Sequence, residues 1–262
     1  MTAAPPHLTD RVALVTGASS GIGRAAATAL ARAGAHVIAL ARTHEALDDT
    51  ARTHPRITPH PADLHDPRTP ADLHDPRTPA DAVDTALTTH GRLDVLVNNA
   101  GATAMMPLTD TRTDTITDLF ALNVTAPSLL AAAAHTPLAR TGGTILNISS
   151  TYGHRPLPGA AHYAASKAAL ESLTRSWALE LAPDGIRANA LAPGPTRSNA
   201  LNAAGLAPDT VARVHNDETR RIPLGRRAEP DEVATWITHL ADPAAAWITG
   251  QVITVDGGLE LT

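Results

Sequence analysis

Tyr163 and Lys167 stand four residues apart in the Ala-rich run Tyr163-Ala164-Ala165-Ser166-Lys167. On a helix that spacing stacks a phenol and an ammonium on one face. The chemistry open to such a pair is proton transfer. A phenol with its ordinary pKa of roughly 10 yields a proton near neutrality only where its phenolate is stabilised. A cation roughly 5 Å away, at an effective dielectric of about 20, supplies about 3 kcal/mol, or roughly two pKa units. Taken alone the spacing describes many solvated helices; its weight comes from the polar residues around it. Ser149 and Ser150 close the run Gly143-Thr144-Ile145-Leu146-Asn147-Ile148, Asn123 lies inside a long helix-favouring stretch, and Asn98-Asn99-Ala100-Gly101 follows another apolar run.

The elements that must position these groups alternate along the chain. Val12-Ala13-Leu14-Val15 reads as a buried parallel strand, Thr16-Gly17-Ala18-Ser19-Ser20-Gly21-Ile22-Gly23 as a glycine turn, and Arg24 to Ala33 as a helix closed by Gly34. Strand, glycine turn and helix in that order suit a dinucleotide, because glycines let backbone N–H groups approach a pyrophosphate and the helix N-terminus favours its charge. His36 to Arg42 reads as the second strand. Its end decides which ribose is accepted: an acidic residue bonds a free 2′-hydroxyl, and Arg accommodates a 2′-phosphate. Here Ala41 holds the acidic position and Arg42 follows, which favours NADP(H) while leaving NAD(H) possible. Helices are expected over residues 80–90, 110–134 and 160–181, and strands over 93–97 and 143–150. In an open sheet of this kind ligands bind beyond the carboxyl ends of the strands, so the glycine turn, Asn99 and Ser150 share one crevice.

Residues 61–78 contain a direct repeat, Pro-Ala-Asp-Leu-His-Asp-Pro-Arg-Thr twice over. One tandem copy of so short a unit is no solenoid. Its prolines keep it from joining a helix or a central strand, so it reads as a duplicated loop without ligand geometry, and no metal site is expected. The 262-residue chain carries a formal net charge of −5, no cysteine, one Phe, two Tyr and three Trp. That composition disfavours a nucleic-acid partner, which needs clustered cations or stacking aromatics, and it excludes disulfides and thiolate chemistry. Residues 1–10 lack the apolar core of a signal peptide, and no apolar run approaches the ~18 residues of a membrane span. A cytoplasmic protein without membrane attachment is expected.

Thr16-Gly17-x-x-x-Gly21-x-Gly23, Asn98-Asn99-Ala100-Gly101, Asn123, Ser150, Tyr163-x-x-x-Lys167, Pro193-Gly194 and the tail Ile248 to Gly258 together resemble the short-chain dehydrogenase/reductase family, and within it the 3-oxoacyl-(acyl carrier protein) reductase-like branch. The resemblance covers nearly the whole chain. It implies a single doubly wound α/β domain of the Rossmann type, a mostly parallel sheet with helices on both faces, acting as an oxidoreductase on a small-molecule ketone or secondary alcohol. Asn123, Ser150, Tyr163 and Lys167 would be catalytic: Tyr163 as general acid and base, Ser150 holding the substrate oxygen, Lys167 lowering the tyrosine pKa and bonding the nicotinamide ribose, and Asn123 holding a relay water. Cofactor contacts would come from Gly17, Ser19, Ser20, Gly21, Ile22 and Gly23; from Arg42, Asp63 and Leu64; from Asn99, Ala100 and Gly101; and from Pro193, Gly194 and the Thr196 backbone, with Asp63 rather than Asp72 on the adenine. A dimer or tetramer built on the helices over 110–134 and 160–181 is implied as well.

Two further expectations concern the substrate. Met105, Met106, Tyr152, His154, Leu157 and the segment 198–222 read as a moderately apolar pocket with a lid over 195–222. Glu180, Asp184 and the negative net charge argue against docking an acidic acyl-carrier protein. The rival reading is a cofactor-binding sensor or scaffold without turnover, which would have no physical need of all four relay residues.

Overall fold

The computed structural model describes residues 7–64, 79–198 and 207–262, with the side chains of residues 79 and 80 left aside. Seven strands form one parallel sheet: β1 (Val12–Thr16), β2 (His36–Ala41), β3 (Ile57–Pro61), β4 (Val95–Asn98), β5 (Thr144–Ile148), β6 (Arg187–Pro193) and β7 (Val252–Val255), in the spatial order 3-2-1-4-5-6-7. The helices are α1 (Gly21–Arg32), α2 (His44–Ala51), α3 (Pro79–His90), α4 (Thr113–Phe120), α5 (Ala126–Thr141), α6 (Ala161–Glu180), α7 (Pro208–Arg221) and α8 (Pro230–Ala241).

Both sheet faces are covered, and the two-residue period of the strands shows it. Ala13 and Val15 join one core cluster with α1 and α8, whereas Val12 and Leu14 join the other with α3 and α5. The same alternation sends Val37 and Ala39 to the first cluster and Ile38 and Leu40 to the second. Side chains buried on both faces explain why the strands read as continuous apolar runs. Each large aliphatic so buried contributes roughly 1.5–3 kcal/mol. The fold is the doubly wound α/β architecture.

Strand order fixes where a ligand can enter. The chain proceeds outward from β1 to β2 and β3, then returns to lay β4 on the other side of β1. The helices therefore diverge beyond the carboxyl ends of β1 and β4 and leave a crevice there.

Several expected boundaries move. The first helix begins at Gly21, not Arg24, so the end of the glycine turn is already its first turn. The strand at 57–61 takes in Pro61, the first residue of the repeat; β3 lies at the sheet edge, where a missing N–H is tolerated. Residues 65–78, which include Asp72 and most of the repeat's histidines and aspartates, lie outside the described residues. The helix expected over 110–134 runs instead from Thr113 to Thr141 and contains a π turn, Ala121–Thr125, that ends two residues before Pro127. That 29-residue run is long and apolar enough to span a membrane by length and composition, contrary to the sequence reading. Its Leu122, Ala126, Leu130, Ala134 and Leu138 belong to the core cluster against the sheet.

Candidate active site

The glycine turn is tied to β4 by side-chain bonds. Thr16 Oγ1 accepts the amides of Asn99 and Ala100, both at 2.9 Å, and donates to the Val97 carbonyl at 3.3 Å. Asn99 Nδ2 donates to the Thr16 carbonyl at 2.9 Å. Gly17 has φ of 65°, and a Cβ there would lie 2.8 Å from Asn99 Nδ2, so backbone shape and close approach both require glycine. The result is a groove of about 350 Å³. Gly17, Ser19, Ser20, Gly21 and Ile22 line it on the α1 side, Asn99, Ala100 and Gly101 on the β4 side, and Arg42, Asp63 and Leu64 at the far end. Backbone N–H groups and the α1 N-terminus give this groove the polarity an anion needs.

Not every expected cofactor residue reaches it. Gly23 does not line the groove; it packs behind, where a Cβ would collide with the Gly17 carbonyl and Asn99 Nδ2. It shapes the turn and leaves the surface to others. Pro193 ends β6, Gly194 donates its amide to Val255 at 3.0 Å, and Thr196 Oγ1 donates to the Gly194 carbonyl at 3.0 Å. None of the three lines the groove, although Ser198, two residues on, does. Ala41 is buried and Arg42 exposed at the groove lip.

The four expected catalytic residues come from three places: Asn123 from the π turn, Ser150 from the end of β5, and Tyr163 and Lys167 from α6. Asn123 sits in the π turn, fully buried, with Oδ1 accepting the Ala102 amide at 2.9 Å and Nδ2 donating to the Ala102 carbonyl at 3.0 Å and to Ser166 Oγ at 2.9 Å. The extra residue of a π turn re-aims a side chain at a functional position. Lys167, on α6, is buried and donates Nζ to the Ile148 carbonyl at 2.9 Å. A Cβ on Gly101 would lie 3.1 Å from Asn123 Oδ1 and 3.2 Å from Lys167 Nζ, so both polar groups flank the groove wall at Gly101. A buried chain from Asn98 Nδ2 to Asn147 Oδ1 at 2.9 Å, and from Asn147 Nδ2 to Thr174 Oγ1 at 2.8 Å, seats α6 on β4 and β5.

Ser150 and Tyr163 both line the wall of a second cavity of about 550 Å³, close enough for the Ser150 hydroxyl to lower the phenol's pKa. Ser149 turns the other way and donates to Glu171 Oε1 at 2.8 Å. Burial raises the Tyr163 phenol above its ordinary value; the Ser150 hydroxyl pulls it down, and Tyr152 raises it further. Lys167 is not among these causes. Burial lowers Lys167 to about 8, opposed by the charge of Glu171.

The second cavity corrects the apolar pocket read from sequence. Met105, Tyr152, Leu157 and α7 line it, but Met106 is buried in contact with Gly159 and Arg112, and His154 instead bridges Glu171 Oε1 at 3.2 Å and Glu260 Oε2 at 2.8 Å. Arg155, Arg221 and Arg227 line the same cavity with Asp217 and Glu218. Sequence reading passed over Arg155 and Arg227 because each looks like a solvated loop residue. Ser198 lines both the groove and the cavity, so the two spaces meet. Among the described residues no cluster of three or more His, Asp or Glu is arranged for a metal.

Comparison with known proteins agrees with this geometry. The family model for enoyl-(acyl carrier protein) reductase matches residues 17–260. The chain is 34% identical to the 3-oxoacyl-[acyl-carrier-protein] reductase of Thermotoga maritima, over 97% of this chain and 100% of that one. A short-chain dehydrogenase/reductase of Caenorhabditis elegans solved with cofactor is 30% identical with a TM-score of 0.88, covering 98% of this chain and 97% of its own. A structure from Beutenbergia cavernae described as an NAD(P)-dependent gluconate 5-dehydrogenase, with bound NADP at low occupancy, is 37% identical with a TM-score of 0.85, covering 99% and 100%. With a cofactor-shaped crevice at the β1/β4 switch point and a hydroxyl pair beside it, the chain belongs to the short-chain dehydrogenase/reductase family and is an oxidoreductase.

Proposed function

We propose that this enzyme interconverts a ketone and a secondary alcohol with NADP(H) in preference to NAD(H), Tyr163 being the general acid in reduction and the base in oxidation. The observation that carries the reading is the Ser150–Tyr163 hydroxyl pair on the wall of a cavity that meets the glycine-lined groove. The groove fits a dinucleotide because the glycine turn and the α1 N-terminus present backbone N–H groups along its wall. Gly17, Ser19, Ser20, Gly21 and Ile22 would hold the pyrophosphate, Asp63 and Leu64 the adenine, Arg42 the 2′-phosphate, Asn99 to Gly101 the ribose side, and the Thr196 backbone the carboxamide. The bound nicotinamide supplies or accepts the hydride. Ser150 Oγ donates to the carbonyl oxygen, and the Tyr163 O–H passes its proton to that oxygen as charge develops. Asn123 and Lys167, flanking Gly101, hold the water through which Tyr163 is reprotonated. The chain acts as one catalytic domain, with residues 195–198 and 207–222 as the lid; residues 199–206 of the expected lid lie outside the described residues.

Two measurements test this. Tyr163→Phe should keep NADPH binding and lose turnover by roughly 10²–10⁴; wild-type rates in that variant would sink the mechanism. A bidentate, charge-assisted contact from Arg42 contributes about 1.5–3 kcal/mol, or roughly ten- to a hundredfold in kcat/KM for NADPH over NADH. A ratio favouring NADH would show that Arg42 does not meet the phosphate. We also propose a homodimer or homotetramer built on α5 and α6, where Leu129 and Leu179 stand exposed; sedimentation as a monomer at micromolar concentration would contradict it.

A further inference from the structure

We infer that Arg227 is a positioning residue for the reacting end of the cofactor: from the wall of the second cavity it fixes the segment 195–198, where cavity and groove join, and so sets how tightly the nicotinamide half is held. This rests on the reading of the groove as the NADP(H) site. The residues that line the two spaces mark the junction. Pro195 lines the cavity together with Ser150 and Tyr163, and Ser198 lines both cavity and groove. Arg42, Asp63 and Leu64 line the other end of the groove. A dinucleotide with its 2′-phosphate at Arg42 therefore brings its reacting ring to residues 195–198.

That segment is paired with the turn between α7 and α8. Ala228 donates its amide to the Pro195 carbonyl at 3.0 Å, and the Arg197 amide donates to the Ala228 carbonyl at 2.9 Å, around a parallel bridge between Thr196 and Ala228. Arg227 adds a side-chain hold. Its Nη2 donates to the Thr196 carbonyl at 2.7 Å, and its Nε faces Glu218 Oε2, on the last turn of α7, at 3.1 Å. The two side chains are only 11% and 17% exposed, and among the described residues neither Nε nor Oε2 hydrogen-bonds elsewhere. A charge pair so enclosed keeps its place, because parting it strands a buried charge. The neighbouring pairs, Arg197 with Glu229 and Arg226 with Glu232, are exposed and lack that constraint. One planar guanidinium thus spans a backbone carbonyl and a carboxylate on separate elements, which the point charge of an ammonium does not. Neither Arg227 nor Glu218 lines the groove, so the adenine end does not depend on them.

Calorimetric titration of the purified full chain with NADPH, and with 2′,5′-ADP, which has the adenine end and no nicotinamide, tests this. In Arg227→Met NADPH should bind about tenfold more weakly, the scale of one lost charge-assisted hydrogen bond, while 2′,5′-ADP stays within about twofold. A general loss of structure would weaken both ligands alike. Arg227→Lys keeps a charge opposite Glu218 and gives up the fork, so it should recover only part of the NADPH affinity, and it decides the matter alone if Arg227→Met does not fold. Unchanged NADPH affinity in either variant, or a parallel loss for both ligands, would overturn the role. Failure of the cofactor reading shows separately: the unaltered protein would then not bind 2′,5′-ADP, and this role would go with it.

Discussion

At the active centre the two ionisable partners are tuned by burial in ways that suit different steps. Tyr163 is raised above the ordinary phenol value, so it carries its proton throughout the neutral range, as the acid role proposed for it requires. Lys167, lowered to about 8, is the group that changes charge in the working range. Carbonyl reduction at saturating NADPH should therefore decline as pH rises through about 8, and Lys167→Met should remove that limb from the profile. Glu171 holds Lys167 up from the next turn of α6, while accepting from Ser149 and facing His154. Replacing its charge in Glu171→Gln should move the alkaline limb to lower pH with a smaller effect on KM for NADPH. A limb that stays in place would show that Lys167 does not control it.

On the scale of elements, the π turn between α4 and α5 and the turn after β1 are where local geometry is least ordinary. Asn123→Ala would leave the half-buried Ala102 amide and carbonyl, and the buried Ser166 hydroxyl, without this partner, at a cost of about 1–3 kcal/mol. For a chain of this length that corresponds to a fall in Tm of roughly 2–10 °C. Thermal melts without cofactor would read this structural loss, and single-turnover rates would read the relay. Gly17→Ala forces a left-handed conformation on a residue with a Cβ and drives that atom against Asn99 Nδ2. A penalty of about 1–2 kcal/mol is expected from conformation alone. Fluorescence titration should show weaker NADPH binding with Tyr163 chemistry otherwise intact; unchanged affinity would mean the turn relaxes freely.

Across the whole molecule, histidines at distant places set opposite limbs of stability against pH. His60 is lowered by burial against the partial opposition of Asp81, and His90 is lowered by burial and by His36. Groups depressed in the folded state contribute stability that is present above the ordinary histidine value of about 6.5 and lost as pH falls. His154 runs the other way: burial would lower it, but its bonds to Glu260 and Glu171 prevail and raise it. Its contribution is complete below about 6.5 and lost as pH rises through its folded value. Tm measured from pH 5 to 9 should therefore pass through a maximum near neutrality, and His154→Gln should flatten the fall on the alkaline side. A profile unchanged by that substitution would remove His154, and with it the tie between the Thr151–Gly153 turn and Glu260, from the account.

What the sequence determined by itself was whatever depends on contiguous residues. The two-sided strands are legible as apolar runs, the glycine turn as strand-turn-helix order, and the Tyr163–Lys167 relation as a four-residue step, because each is set by backbone geometry over fewer than about ten residues. The helix from Thr113 to Thr141 was only partly legible: the expected helix stopped at residue 134, short of Pro137, which lies inside the observed one, and no local pattern marked the π turn. Gly23 could be read as a cofactor contact but not as the glycine that clears the Gly17 carbonyl, a relation between two backbone segments. Tertiary structure alone turned Ser150 towards Tyr163 and Ser149 towards Glu171, and sent Lys167 Nζ to the Ile148 carbonyl. It also brought Arg155, Arg221 and Arg227 from three separate segments to one cavity. Charges distant in sequence acquire a common field only when folding removes the water between them, and no local pattern records that meeting.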